Sequence, residues 1–261
     1  MAHVKPKKSL GQHFLNDLSI AEKIVGALLD SDHNPNVLEV GPGMGVLSDF
    51  MVDHEGVDSL LLMDLDKESI EYLHQKYDGK NVDILYADFL KQDLMTLMGQ
   101  KSFSIIGNFP YNISSQIFFK VLEIKDHVDE VVGMLQKEVA ERIASKEGNK
   151  DYGILSVLLQ AYYDIEYLFS VPPNVFTPPP KVNSGVIRLR RNKVTNLGCD
   201  EKLFKRVVKA GFQMRRKTLR NALKPLNLPD TIREQAVFDK RAEQLSVQDF
   251  IVLTKLIESN V

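Results

Sequence analysis

The sequence predicts an α/β chain in which a doubly wound sheet is followed by a small helical domain. Three observations carry this. Four apolar segments alternate with helical periodicity: Val37-Leu-Glu-Val40, Leu60-Leu-Leu-Met63, the alternating Val82, Ile84 and Tyr86, and Phe103 with Ile105 and Ile106. Each ends in glycine or a polar residue, as open sheets do where their strand carboxyl ends meet a ligand. From about Asn192 the pattern becomes helical and basic, which places the domains at residues 1–192 and 193–261.

Composition narrows the function classes. A chain of 261 residues, 44% hydrophobic and 26% charged, has the balance of a soluble globular protein. No apolar run has membrane-spanning length and no signal-like amino terminus is present, so a cytoplasmic location is expected. The single Cys199 excludes an internal disulfide, and histidines at 3, 13, 33, 54, 74 and 127 make no metal-ligand spacing. Without coiled-coil heptads the expectation is a monomer. The net charge of -2 is uneven: residues 1–192 sum to -8 and residues 193–261 to +6. Nine Lys or Arg and no acid lie within 202–224, a one-signed block that favours a phosphate backbone as partner. Arg215, Arg216, Lys217 and Arg220 fall within two helical turns and are the candidate contacts.

In chain order, the basic arm Val4-Lys-Pro-Lys-Lys-Ser9 leads into Leu10-Gly-Gln-His-Phe-Leu15. Asn16 or Asp17 can cap a helix with Ile20, Ile24, Val25 and Leu28 on one face. The first strand runs into Gly41-Pro-Gly43-Met-Gly45 and an expected helix from about Val46. The third glycine comes two residues after the second, one short of the dinucleotide pattern, so no pyrophosphate is implied. The glycines let backbone approach an uncharged or zwitterionic ligand, and Glu39 can take its ammonium; a plain tight turn has the same pattern. The second strand ends at Asp64-Leu-Asp66, where Asp64 is placed to accept ribose hydroxyls and Asp66 to cap the next helix. Asp88, after the third strand, can accept from an adenine amine or equally cap a turn.

The fourth strand delivers Gly107-Asn-Phe-Pro-Tyr111. Pro110 has no N–H, so Asn108 and nearby carbonyls can face outward as acceptors while Tyr111 offers a flat ring. Acceptors beside an aromatic plane suit the exocyclic amine of a nucleobase, although Asn and Pro are also ordinary turn residues. Further on, Val128 to Met134 reads as a strand between helices, and Leu155 to Tyr162 as a core helix. Five prolines between Val171 and Ser184 exclude a central strand there, and Val186-Ile-Arg-Leu189 closes the sheet beside Tyr167 to Val171.

Taken together, Gly11-Gln-His-Phe-Leu15, Glu39-Val-Gly-Pro-Gly43, Asp64-Leu-Asp66, Asp88, Asn108-Phe-Pro-Tyr111, Val175-Phe-Thr-Pro-Pro-Pro-Lys-Val-Asn-Ser184 and Phe212-Gln-Met-Arg-Arg-Lys-Thr-Leu-Arg-Asn221 resemble the KsgA family. These are adenine-N6,N6-dimethyltransferases of small-subunit (16S) ribosomal RNA. The resemblance implies a Rossmann-like class I S-adenosylmethionine methyltransferase sheet, with His13, Leu15, Glu39, Gly41, Gly43, Asp64, Asp88 and Asn108 around the cofactor. It implies catalysis by Asn108, Phe109, Pro110 and Tyr111, with Phe176 facing Tyr111 across the adenine, and the small ribosomal subunit as partner. His13 stands where the family often has Asn, Asp64 where Glu is frequent, Phe109 where Leu is usual and Met214 where Gln is usual. Large-subunit rRNA methyltransferases of the macrolide-resistance type, adenine-N6 DNA methyltransferases and a ribosome-assembly factor are the competing readings; the segment from Met214 to Asn221 argues against the first.

Overall fold

The structure is a computed structural model that describes residues 4–29 and 34–260; His3 and His33 lie outside them. In chain order the elements up to the glycine-rich and acidic turns are β1 (Phe14–Leu15), α1 (Leu18–Leu29), β2 (Asn36–Val40), β3 (Ser59–Asp64), α2 (Lys67–Lys76) and β4 (Asp83–Tyr86). Then follow α3 (Leu94–Leu97), β5 (Phe103–Asn108), α4 (Ser114–Glu123), β6 (Val128–Gln136), α5 (Lys137–Ala144), α6 (Ile154–Gln160), β7 (Tyr163–Val171), β8 (Phe176–Thr177) and β9 (Ser184–Arg191). Four helices complete the chain: α7 (Glu201–Gln213), α8 (Leu219–Ala222), α9 (Asp230–Arg233) and α10 (Val247–Glu258).

Seven strands form one sheet in the order β4-β3-β2-β5-β6-β9-β7. The pairs from β4 to β6 are parallel, and β9 is antiparallel to β6. Buried parallel strands need apolar residues on both faces, which is why β2, β3 and β5 read as near-continuous hydrophobic runs. The order reverses between β2 and β5, and a doubly wound sheet opens its ligand crevice at that switch point. On α1, Ala21, Ile24, Val25 and Leu28 turn inward, and Asp17 caps it by accepting from the Ser19 and Ile20 amides at 3.0 and 3.2 Å. Asp66 caps α2 as expected.

The expected helix from Val46 is instead a series of turns with a 3-10 turn at Ser48–Phe50. Lys76 Nζ reaches Met44 O at 2.9 Å, and Gly45 O accepts both the Asp49 amide and the Tyr77 hydroxyl at 3.0 Å, which ties this turn to the end of α2. The short strand β1 was not anticipated; it pairs antiparallel with β8 inside the proline-rich stretch, Phe14 opposite Thr177 and Leu15 opposite Phe176.

The chain packs as two compact units, residues 1–140 with 165–191, and residues 141–164 with 192–261. The second therefore takes in α6 as well as the carboxyl-terminal helices, more than a single cut after residue 192 assigns it. Its core stacks Phe212 on Phe250 at 5.9 Å, with Tyr152 edge-on to Phe212 at 6.0 Å. Among the described residues no helix is long and apolar enough to cross a membrane, and no three His, Cys, Asp or Glu side chains gather as metal ligands.

Candidate active site

The carboxyl ends of β2, β3, β4 and β5 meet at one cavity. Its walls are residues 10–15 of the amino-terminal arm, the glycine turn from Glu39 to Leu47, Asp64 with Leu65, Ala87 to Phe89, and the turn from Asn108 to Ile113. Backbone geometry makes the glycine turn. Gly41 and Gly43 sit at φ +71° and +57°, in the left-handed region. A Cβ on Gly43 would lie 2.9 Å from the Phe14 ring, whereas one on Gly41 would meet nothing closer than Pro110 at 3.9 Å, so main chain alone borders the cavity there.

Asp64 ends β3 with its side chain fixed by main chain. Oδ1 accepts the Asp66 amide at 2.8 Å and Oδ2 the Gly43 amide at 3.1 Å, leaving further lone pairs for a ligand's hydroxyls. Burial pushes its carboxyl up, while these backbone donors oppose the shift. Asp88 caps the Leu90 amide through Oδ1 at 3.0 Å, one of its two expected roles, and it also borders the cavity.

Glu39 is 1% exposed and accepts the Ser48 hydroxyl at 2.6 Å. Burial pushes its carboxyl from an ordinary 4.5 up to about 8, with Asp64 and Asp49 adding to the rise and Ser48 and Lys76 opposing it. Between those two values the folded chain binds the proton more tightly than the unfolded chain, so this group's contribution falls as pH rises through the window. Glu39→Gln removes the penalty and keeps an acceptor for Ser48. The unliganded variant should be more stable than the parent at pH 8 by up to ~5 kcal/mol and equal to it near pH 4.5, read from thermal unfolding at the two pH values.

The turn after β5 is held from three sides. Asn108, which lines the cavity, donates Nδ2–H to the main-chain carbonyl of His13 at 2.8 Å, and its Oδ1 keeps its acceptor capacity. The Phe109 ring is buried between two strands: a Cβ added at Gly107 or Gly133 would lie 2.9 Å from the ring atoms Cε1 or Cδ2. Its edge meets Phe118 at 5.9 Å, and its amide donates to Met134 O at 2.9 Å. The Tyr111 hydroxyl shares a 2.6 Å hydrogen bond with Ser184 Oγ, and burial pushes this phenol up. His13 Nδ1 donates to Pro178 O at 2.7 Å, since a carbonyl can only accept, and its ring lies 5.5 Å from that of Tyr111. Leu15, on β1, completes this wall.

The sequence-predicted cofactor residues and the Asn108 to Tyr111 turn thus share one cavity. Phe176 does not join them: it is 3% exposed, pairs with Leu15 and packs in the apolar cluster with Ile24 and Val171. The ring that meets Tyr111 is His13, and Phe176 supports the arm strand from the core side. Among the basic candidates, Arg215 and Arg220 are also committed elsewhere. Arg215 donates to the carbonyls of Lys150 and Tyr152 at 2.7 and 2.6 Å, and Arg220 to Asp239 at 2.7 Å and to the Arg233 carbonyl. These arginines bond to carbonyls within the second unit, Arg220 half-buried and Arg215 exposed, and Arg216 and Lys217 are exposed beside them. Sequence reasoning also missed Gly133; an isolated glycine inside the apolar run of β6 was the available signal for a close approach.

A sequence model of the family described as ribosomal RNA adenine dimethylase matches residues 3–259. The chain belongs to this family. As a ribosomal RNA adenine dimethylase it is similar to the proteins named ribosomal RNA small subunit methyltransferase A from Cytophaga hutchinsonii and Flavobacterium johnsoniae. The first is 58% identical over 98% of this chain and 99% of its own, the second 55% over 100% and 98%. Two solved structures share the dimethylase fold at 23% identity each. A dimethyladenosine transferase from Plasmodium falciparum has TM-score 0.78 over 92% of this chain and 96% of its own. The 23S rRNA methyltransferase ErmE has TM-score 0.67 over 93% and 99%.

Proposed function

We propose that this dimethylase transfers methyl groups to N6 of two adjacent adenosines near the 3′ end of small-subunit (16S) rRNA, giving N6,N6-dimethyladenosines during ribosome biogenesis. It acts in the cytoplasm as a monomer, with S-adenosylmethionine as methyl donor. The carrying observation is the Asn108 side chain, which lines the cavity shared with Glu39, Gly41 and Asp64 and is held through its amide nitrogen by the His13 carbonyl.

The donor set fits the cofactor. Asp64 takes the ribose hydroxyls, Asp88 the adenine amine, and Glu39 with the glycine turn the methionine end, His13 and Leu15 closing the arm side. Bound there, S-adenosylmethionine supplies an activated sulfonium methyl. The protein's task is then to present the amine. Adenine N6 is a weak nucleophile because its lone pair is delocalised into the ring. Asn108 Oδ1 and a carbonyl of the turn accept its hydrogens out of plane and localise that pair, while the flipped base stacks on Tyr111, held by Ser184. The methylated nitrogen is acidic enough to release its proton without a strong base. Arg216 and Lys217 contact the RNA backbone.

The test is transfer of labelled methyl to unmodified small subunits, with the nucleoside identified by mass. Dimethyladenosine at two adjacent positions near the 3′ end is expected; transfer only to large-subunit RNA or DNA would overturn the substrate. Reversing Arg216 and Lys217 to Glu should weaken RNA binding and flatten the dependence of log affinity on log salt by roughly 2 units or less, with cofactor binding unchanged. Arg215→Ala and Arg220→Ala should instead lower the unfolding midpoint.

A further inference from the structure

Asp66 does more than cap α2. Its side chain is buried, yet four groups donate to it: the Glu68 amide and the Ser69 hydroxyl from its own helix, and Lys7 Nζ at 2.5 Å and Gln12 Nε2 at 3.0 Å from the amino-terminal arm. Lys7 also reaches Glu68 at 3.1 Å, and its amide donates to Gln12 Oε1, so the two arm contacts brace each other. The arm then crosses the cavity. Gly11 passes so close to Asn112 that a Cβ would lie 2.8 Å from its Oδ1, and the His13 carbonyl holds Asn108. Beyond the cavity the arm is fastened again by β1 on β8 and by Asn16 to Thr177 at 2.8 Å. At the other end the Asp66 amide is the donor that fixes Asp64 Oδ1. One residue therefore connects, through main chain, to the proposed ribose acceptor and, through side chain, to the segment that orients the asparagine.

We propose that residues 7–13 are a strap over the cofactor site and that Asp66 is the positioning residue that fastens it, coupling cofactor retention to the orientation of Asn108. This rests on the cofactor reading above. A structural role alone would make Asp66 a helix cap and Lys7 a surface cation. The variants separate the two: Asp66→Asn keeps a good cap for α2 and loses the charged acceptor, and Lys7→Met leaves the cap untouched.

The measurements are the release rate of S-adenosylhomocysteine by stopped flow and tryptic cleavage after the exposed Lys8 in unliganded protein. Both variants should release the ligand about tenfold faster and be cut faster, with Lys7→Arg restoring the parent's behaviour and the double variant no worse than either single one. Unchanged release and cleavage would overturn the strap, as would a lowered unfolding midpoint with release unchanged. Failure of the parent itself to bind S-adenosylhomocysteine would overturn the cofactor reading, and the strap's purpose with it, a result distinguishable from tight binding that the variants leave untouched.

Discussion

Asn108→Ala should transfer methyl about 10²- to 10³-fold more slowly at saturating cofactor, with a smaller loss of S-adenosylhomocysteine affinity because its amide also holds the arm at His13. The size follows from the removal of one preorganised hydrogen-bonding group aimed at a reacting centre. The fold should survive, because the substitution deletes a single side-chain hydrogen bond to the His13 carbonyl, a loss of about 1 kcal/mol. Single-turnover transfer and calorimetric binding of the product cofactor separate the two effects. A parental rate would remove Asn108 from the chemistry; weakened cofactor binding with an unchanged rate at saturation would make it a cofactor ligand only. A variant that binds the small subunit and supports assembly without transfer would shift weight to the assembly-factor reading.

Gly133→Ala should be nearly as damaging, although residue 133 is not among those that border the cavity. A methyl there overlaps the Phe109 ring, which is boxed by Gly107 on one side and Phe118 on another. The ring must move, and Asn108, Pro110 and Tyr111 move with it. A misplacement of the order of 1 Å at a positioning group slows a reaction about 10²-fold, and overpacking of this kind destabilises by roughly 1–3 kcal/mol. Pairing the substitution with Phe109→Leu, which restores the side chain usual in the family, should recover most of both losses. If the double variant transfers no faster than Gly133→Ala, the seat of Phe109 does not govern the turn.

The strands, their order of appearance and the cavity at their ends were legible because each rests on local information. Apolar runs such as Leu60 to Met63 are long enough to mark buried strands, and glycine or acid at their ends marks the turns. What escaped were pairings between residues far apart in the chain. The partner of Phe14 lies more than 160 residues away, on a two-residue strand that no periodicity can register. The roles of Arg215 and Arg220 were illegible for the same reason, since a cation in a basic block looks identical whether it faces solvent or a carbonyl. Phe176 is a similar case, since its pairing with Leu15 and its place in the apolar cluster depend on residues far away in the chain. The turns at Val46 likewise carry contacts from Lys76 and Tyr77, about 30 residues on, that no local pattern announces.

The contact between Asn108 and the His13 carbonyl also explains why an acid does not belong at the end of β5. A carboxylate would be the stronger acceptor for an amine, and by that measure aspartate should be preferred. At 2.8 Å, however, the second oxygen of an aspartate would face the carbonyl oxygen lone pair to lone pair. Only protonation or rotation would relieve that repulsion, and either one spoils the acceptor. The backbone of the arm thus chooses the side chain's chemical identity as well as its orientation, and a neutral amide is the group that can be held at one end while it receives at the other.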